Sequence, residues 1–533
     1  MKLKMLTALI LSATVFATVQ GQQRGAPAAA PSASVPALDY YEIHQLYTRF
    51  NHALDSADDN GNAFASVFTA DGVFVTAAGT RIEGHDALAA FAREDPDKRK
   101  GPTNVGHYVS NAAIEATLSG ARGHGYLLEA TQLPPDPAAG ARGRGPGRAI
   151  TEGGAYWDDL VRTTDGWRIK MRTLVRPNGP VPAATASAPA AAVSSASMPH
   201  PFTAQDYADI TQLFALFGYS FDSAADNGYQ WANLFTPDGV FVNGTVVGTM
   251  RGRETLAAFA SGRLNFPGGF ATITPGAGTP HNPLAIAHIL TDVAIEPVPD
   301  GALARVYRLN ASIGADGRPA LAPGGVYNVL LARMAEGWRF KEYWYVGVGA
   351  PVQDGAKRFI PVKGEPPAAV SAQTVRGPVP PLTVAADDDA AIRQLYARFS
   401  HAIDSGADNG AALARLFTPD GVFLDTWTNK VYSGSDQLAA LGRLAAPGGP
   451  STKGPTSLNQ FIWTVKVEAA PQGASAKGYV MTGNLQDPGK PIVMTNGGQY
   501  WDDLVKTADG WRIKKRTFYR TSQTPPPVQT AAN

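Results

Sequence analysis

One pattern occurs three times in this chain, and each occurrence is long enough to be a domain. The first runs "IHQLYTRFNHALDSADDNG", "VFTADGVF" and "GGAYWDDLVRTTDGWRIKMRT". The third runs "IRQLYARFSHAIDSGADNG", "LFTPDGVF" and "GGQYWDDLVKTADGWRIKKRT". The second is more divergent, with "ITQLFALFGYSFDSAADNG", "LFTPDGVF" and "GGVYNVLLARMAEGWRFKEYW". Segments 153–173 and 497–517 agree at 17 of 21 positions. Asp55 recurs as Asp222 and then as Asp404, at offsets of 167 and 182 residues. Stacked-repeat arrays have units of about 20–50 residues, so this spacing predicts whole domains in tandem.

Bulk properties agree. A chain of 533 residues holds three or four domains at about 150 residues each, and 44% hydrophobic content is enough for a core in every one. A formal charge of +1 gives no general attraction for nucleic acid or an anionic membrane. The absence of cysteine excludes disulfides, thiol catalysis and cysteine-based zinc sites. Lys2 and Lys4 precede an apolar run from Leu6 to Val19, and Gly21 offers a small residue for cleavage. Segment 1–21 therefore reads as an export signal, with an uncleaved anchor as the alternative, and the mature protein as periplasmic or secreted. No later run reaches the ~18 apolar residues of a membrane helix. Pro/Ala-rich stretches at 22–36, 177–201 and 351–382 read as linkers. They leave domains at 37–176, 202–350 and 383–520, and a tail at 521–533.

Each block repeats one internal order. Ile43, Leu46, Tyr47, Phe50 and Leu54 form a helical stripe, which the turn residues of "SADDNG" end. A short helix, a strand through "DGVF" and another short helix follow. Three strands rich in β-formers close the block, the last two joined at Asp165-Gly166. Helices first and antiparallel strands afterwards predict an α+β domain with helices on one face of a curved sheet.

These residues carry a resemblance. "ALDSADDNG", "FTADGVF", "GHYVSNAAIE" and "GGAYWDDLVRTTDGWRI" are similar to the SnoaL-like branch of the nuclear transport factor 2-like superfamily. The resemblance covers all three blocks. It implies a cone, a strongly bent antiparallel sheet wrapped by helices with a pocket in its open end. Scytalone dehydratase, ketosteroid isomerase, limonene epoxide hydrolase and polyketide cyclases share this cone with members that have no chemistry. Fold therefore does not name the activity.

On the helical wheel Tyr47, Asn51 and Asp55 form an edge beside the apolar stripe, whereas His52 falls opposite it. His52 and its counterpart His401 are accordingly expected in solvent. A carboxylate bordering an apolar pocket is suited to proton transfer. In scytalone dehydratase-like members this helix carboxylate faces a strand histidine across the cone, and the matching residues are Asp55 and His107. The resemblance implies that the pair moves protons while Tyr47 donates a hydrogen bond to a substrate oxygen. Alternatively, Asp55 serves only the local "DSxxDNG" turn, as is expected of Asp59, Asp226 and Asp408. The second copy has Phe214, Gly218, Asp222 and His288 at these positions; the third has Tyr396, Ser400, Asp404 and Gln460. Only the first copy presents the full trio. Catalysis is thus expected there, with Asn51, Asp222, His288, Tyr396 and Asp404 as ligand-binding residues.

Other features carry less. In "WDDLV" one of Asp158 and Asp159 faces inward and the other outward, and likewise Asp502 and Asp503. No histidines stand at metal-binding spacing, and neither metal nor cofactor is expected. His124, Arg305 and Lys477 align and are expected to be exposed. Arg142, Arg144 and Arg148 lie in a loop that reads as a lid or crossover. No nucleophile elbow, phosphate loop or dinucleotide fingerprint occurs. Two functions remain open. One is a small apolar or cyclic organic ligand bound, with cofactor-free dehydration, isomerisation or cyclisation in the first domain. The other is a non-catalytic binding or oligomerisation scaffold. In either, the cones associate through their sheets, as an internal pseudo-oligomer or a homo-oligomer.

Overall fold

The computed structural model describes residues 35–94, 105–132, 148–176, 202–243, 248–265, 272–276, 286–299, 301–313, 319–347, 384–445, 458–484 and 493–520. The expected signal segment, nearly all of the expected linkers, the tail, Arg142 and Arg144 lie outside these residues. Among the described residues no helix is long and apolar enough to cross a membrane.

Domain 1 opens with α1 (Ala37–Ser56), a 3-10 turn (Asp58–Gly61) and the single-turn α2 (Asn62–Ala65). Next come β1 (Phe68–Val75), β2 (Arg81–Glu83), α3 (His85–Glu94), β3 (Val105–Thr117), β4 (Gly120–Gln132), β5 (Arg148–Thr163) and β6 (Gly166–Val175). Domain 2 repeats the order with α4 (Ala204–Ser223), α5 (Tyr229–Ala232), β7 (Phe235–Asn243), β8 (Gly248–Arg251) and α6 (Arg253–Ala260). It adds a hairpin of β9 (Leu264–Asn265) and β10 (Thr272–Ile273) before β11 (Ile286–Val298), β12 (Gly301–Ile313), β13 (Pro319–Met334) and β14 (Gly337–Gly347). Domain 3 has α7 (Ala386–Ser405), α8 (Ala411–Ala414), β15 (Phe417–Asp425), β16 (Lys430–Ser433) and α9 (Gly434–Ala445). Its long strands are β17 (Leu458–Ala470), β18 (Gly473–Asn484), β19 (Val493–Thr507) and β20 (Gly510–Arg520).

Each domain is a six-stranded sheet covered by its helices, in the order β2-β1-β6-β5-β4-β3 for domain 1. The first and last strands pair in parallel, so the sheet is mixed. Four long strands follow the second helix group, one more than expected. Glycines 120, 123 and 125 weaken the strand signal of β4. Gly123 is demanded by packing, since a Cβ there would lie 1.8 Å from the Tyr47 hydroxyl. The α1 turn recurs closely. Asp59, Asn60 and Gly61 take φ of 51°, 56° and 86°, and their counterparts in the other domains do the same. A Cβ on Gly61 would lie 2.1 Å from the Ala89 carbonyl oxygen, so glycine is required for conformation and for clearance.

The domains close into a ring. α1 packs on β11 of domain 2, α4 on β17 of domain 3, and α7 on β3 of domain 1. A glutamine marks each contact. Gln45 donates to the Val293 carbonyl at 3.0 Å and accepts from Ile295 N at 2.8 Å. Gln212 does the same at Val467, and Gln394 at Ile114. The contacted strands are sheet edges, bulged at Asn111, Asp292 and Thr464 with φ of 53°, 51° and 53°. Edge groups otherwise open to stray pairing are thereby satisfied inside the chain. A shared core of Tyr126, Leu128, Tyr307, Leu309, Tyr479 and Met481 draws on the sheets of all three domains.

The ring explains why the outer face of α1 is not wet. His52 is buried and its Nε2 lies 2.8 Å from the Asp292 carbonyl oxygen; His401 meets Asn111 at the same distance. Both were expected in solvent, an expectation that treated the domain as free. His124, Arg305 and Lys477 are likewise not exposed. His124 stacks on His401 at 4.0 Å, Arg305 is buried against domain 1, and Lys477 lies over the Trp501 ring at 3.7 Å.

Candidate functional site

Asp55 sits in the last turn of α1 with its carboxylate fully buried. It does not serve the turn that follows. Its oxygens reach β3 instead, where His107 donates from its backbone N at 3.1 Å and from Nδ1 at 2.5 Å. A third donor, Tyr307 OH at 2.7 Å, comes from β12 of domain 2. The carboxylate and the histidine are therefore in direct contact and do not face each other across an open cone. With Asp55 as the acceptor the proton is assigned to Nδ1, and Nε2 is turned toward Glu129. Nε2 lies 3.5 Å from Glu129 Oε2, and Glu129 also accepts from Thr151 Oγ1 at 3.0 Å.

Domain 2 rebuilds the pair. Asp222 accepts from His288 N at 2.9 Å, from His288 Nδ1, and from Tyr479 OH of domain 3 at 2.6 Å. Opposite His288 on the neighbouring strand is Asn310, where domain 1 has Glu129 opposite His107. Domain 3 departs further. Asp404 accepts from Gln460 N at 2.9 Å and from Tyr126 of domain 1, while Gln460 Oε1 accepts from Tyr500 OH at 2.7 Å. Burial, only partly offset by these donors, pushes the Asp404 carboxyl up to about 8.

The remaining candidates lie elsewhere. Tyr47 does not touch Asp55. Its ring stands 4.5 Å from the Arg172 guanidinium, which also lies 4.2 Å from the rings of Phe50 and Tyr156. Burial, then the neighbouring Asp158 carboxylate, raise the Tyr47 hydroxyl well above its usual value. Arg172 forks onto Asp158 through Nε and Nη2, both at 2.7 Å, and neither side chain is exposed. Asp159 is partly exposed, as alternation along the strand requires. Domain 3 repeats this with Asp502, Arg516 and Tyr396, so Tyr396 also walls an ion pair. In domain 2 the pair becomes Val329 and Tyr343, with Tyr343 stacked on Phe217 at 4.5 Å. Asn51 is taken by an interdomain contact, donating to Asp292 Oδ1 at 2.6 Å.

A SnoaL-like domain profile matches residues 36–173, 203–343 and 384–517. The chain belongs to the SnoaL-like domain family. No curated protein matches it significantly. Among solved structures it is similar to an NTF2-like protein with a cystatin-like fold from Novosphingobium aromaticivorans, at 20% identity and TM-score 0.22, over 27% of this chain and 82% of that one. It is also similar to Aln2 from a Streptomyces species, at 24% and 0.22, over 25% and 89%. ActVI-ORFA from Streptomyces coelicolor matches at 19% and 0.21, over 25% and 97%.

Within the SnoaL-like domains the sequence singled out Asp55 and His107 but not Tyr307, because nothing local links residues 252 positions apart. A signal existed nonetheless. Tyr126, Tyr307 and Tyr479 occupy equivalent positions, and each meets the aspartate of the preceding domain in the ring. Tyr156, with Tyr327 and Tyr500, is the recurrent tyrosine of the "GGxY" strand and was also missed.

Proposed function

We propose that the chain is an exported small-molecule-binding protein whose first SnoaL-like domain carries out cofactor-free proton transfer, of the dehydratase, isomerase or cyclase type, on a largely apolar ligand. One observation carries this reading. Asp55 is committed to His107 Nδ1, so Nε2, on the far side of the ring beside Glu129, is the nitrogen that exchanges a proton. In this scheme Asp55 orients the ring and stabilises the imidazolium, as the carboxylate of a hydrolase triad does. His107 Nε2 takes a proton from carbon adjacent to a carbonyl and returns it to a leaving or carbonyl oxygen. Glu129, 3.5 Å from Nε2, stabilises the imidazolium while the ring holds the proton. Domain 2 offers the same pair without the second carboxylate, and domain 3 offers neither histidine nor second carboxylate.

A second reading has its own support. The Asp404 site keeps the backbone donor and the neighbour's tyrosine but has lost the histidine. The Asp–Tyr contact therefore serves the ring even where no histidine is present, and domain 3 is assigned a supporting role. Incubation of the full chain with cyclic β-hydroxy ketones and enones in D2O, read by mass spectrometry, separates the two. Deuterium incorporation or water loss that His107→Gln abolishes supports catalysis in domain 1. Binding of such ligands without exchange in the unmodified chain supports the scaffold. Export is tested separately, by finding whether the mature amino terminus follows Gly21.

A further inference from the structure

A second site lies between domains, with neither Asp55 nor His107 in its lining. The outer side of α1, α2 and β6 faces β11, β12 and β13 of domain 2 across a cavity of about 230 Å³. Its origin is a single difference between the copies. His124 pairs across the sheet with Trp157, and Lys477 pairs with Trp501. In both domains the indole covers the basic residue, at 3.8 Å for His124 and 3.7 Å for Lys477. Arg305 pairs instead with Asn328, and the volume of the missing indole is open space.

Arg305 is only 7% exposed, yet its Nε and Nη2 make no hydrogen bond among the described residues. Its ionic neighbour among those residues is Asp58, 3.6 Å from Nη1. Neither Nε nor Nη2 has appreciable accessible surface, so the fork they form does not open on the cleft that Arg305 lines. Arginines lining a cleft suit a carboxylate. Arg49, Arg168 and Arg305 line the cleft against Asp58 and Glu296, a balance of +1 that suits a monoanion. Leu46, Ala53, Val67 and Leu303 supply apolar wall.

We propose that this cleft binds a small monocarboxylate with an apolar body, its carboxylate paired with the arginines that line the cleft, Arg49, Arg168 and Arg305. The site is built by two domains, at the interface where Asn328 stands in place of the tryptophan of both sister domains. Calorimetry on the full chain tests it with benzoate, neutral benzamide and inorganic phosphate as probes. Benzoate is expected to bind once per chain, with phosphate weaker and benzamide not detected. Arg305→Met should weaken benzoate by at least about tenfold, the loss of one charge-assisted hydrogen bond. Asn328→Trp should do the same by filling the space. It is expected to fold because tryptophan occupies this position in both sister domains, so it decides the matter if Arg305→Met is unstable. No benzoate binding at millimolar concentration overturns the proposal. So does equal binding of benzamide, tighter binding of phosphate, or benzoate affinity unchanged in Asn328→Trp.

Discussion

At the scale of single residues, three aspartates at one position have different environments. Asp55 and Asp222 each hold a histidine; Asp404 holds none, and burial raises its carboxyl to about 8. An unfolded aspartate titrates near 3.9, so between about pH 4 and 8 the folded chain retains a proton that the unfolded chain has released. Stability from this group is therefore present below about pH 4 and lost as pH rises toward 8. Asp404→Asn should flatten that decline by up to about 1.4 kcal/mol per pH unit, read as urea midpoints at pH 5 and pH 8. An unchanged pH dependence would show that Asp404 is ionised throughout. His107→Gln strips the Nδ1 donor from buried Asp55, so it should lower the thermal midpoint near neutral pH as well as remove proton transfer. Gly61→Ala should cost at least about 2 kcal/mol, because it combines a left-handed φ with a backbone clash. Asp55 and His107 were legible in the sequence because both belong to motifs that the copies share or alter. Their direct hydrogen bond was not, since helix and strand spacing say nothing of the distance between two elements.

At the scale of elements, the sequence conveyed one face of each first helix and concealed the other. The stripe of Ile43, Leu46, Phe50 and Leu54 correctly marks the side facing its own sheet. Gln45 carried no reading, His52 read as a surface histidine and Asn51 as a ligand-binding residue, yet all three are buried against domain 2. Their polarity suits them to satisfy backbone and side-chain groups of the bulged edge strand, which an apolar face would leave unpaired. The recurrence of glutamine in "IHQLY", "ITQLF" and "IRQLY" was the available clue. Gln45→Ala strips the partners from Val293 O and Ile295 N and should cost about 1–3 kcal/mol. Hydrogen exchange should quicken at Ile295 but not at Ile114 or Val467, the corresponding amides of the other two contacts. Equal protection in the variant would mean that the clamp contributes nothing.

For the whole molecule, tandem copies and a closed ring are one fact. Each domain takes a tyrosine from the next, and the apolar surface of its sheet is buried only when all three are present. Tethering raises the effective concentration of the partners, so a weak interface suffices. Segment 37–176 alone exposes Tyr126, Leu128 and the outer face of α1, and is expected to self-associate in sedimentation experiments. The first domain's site is thus completed by the second. Nitrogen-15 NMR of histidine-labelled full chain tests this most directly, through the His107 tautomer in the parent and in Tyr307→Phe and Tyr126→Phe. The account predicts a His107 ring protonated on Nδ1, whose signals change in Tyr307→Phe and not in Tyr126→Phe. A ring protonated on Nε2, or signals indifferent to Tyr307, would contradict it.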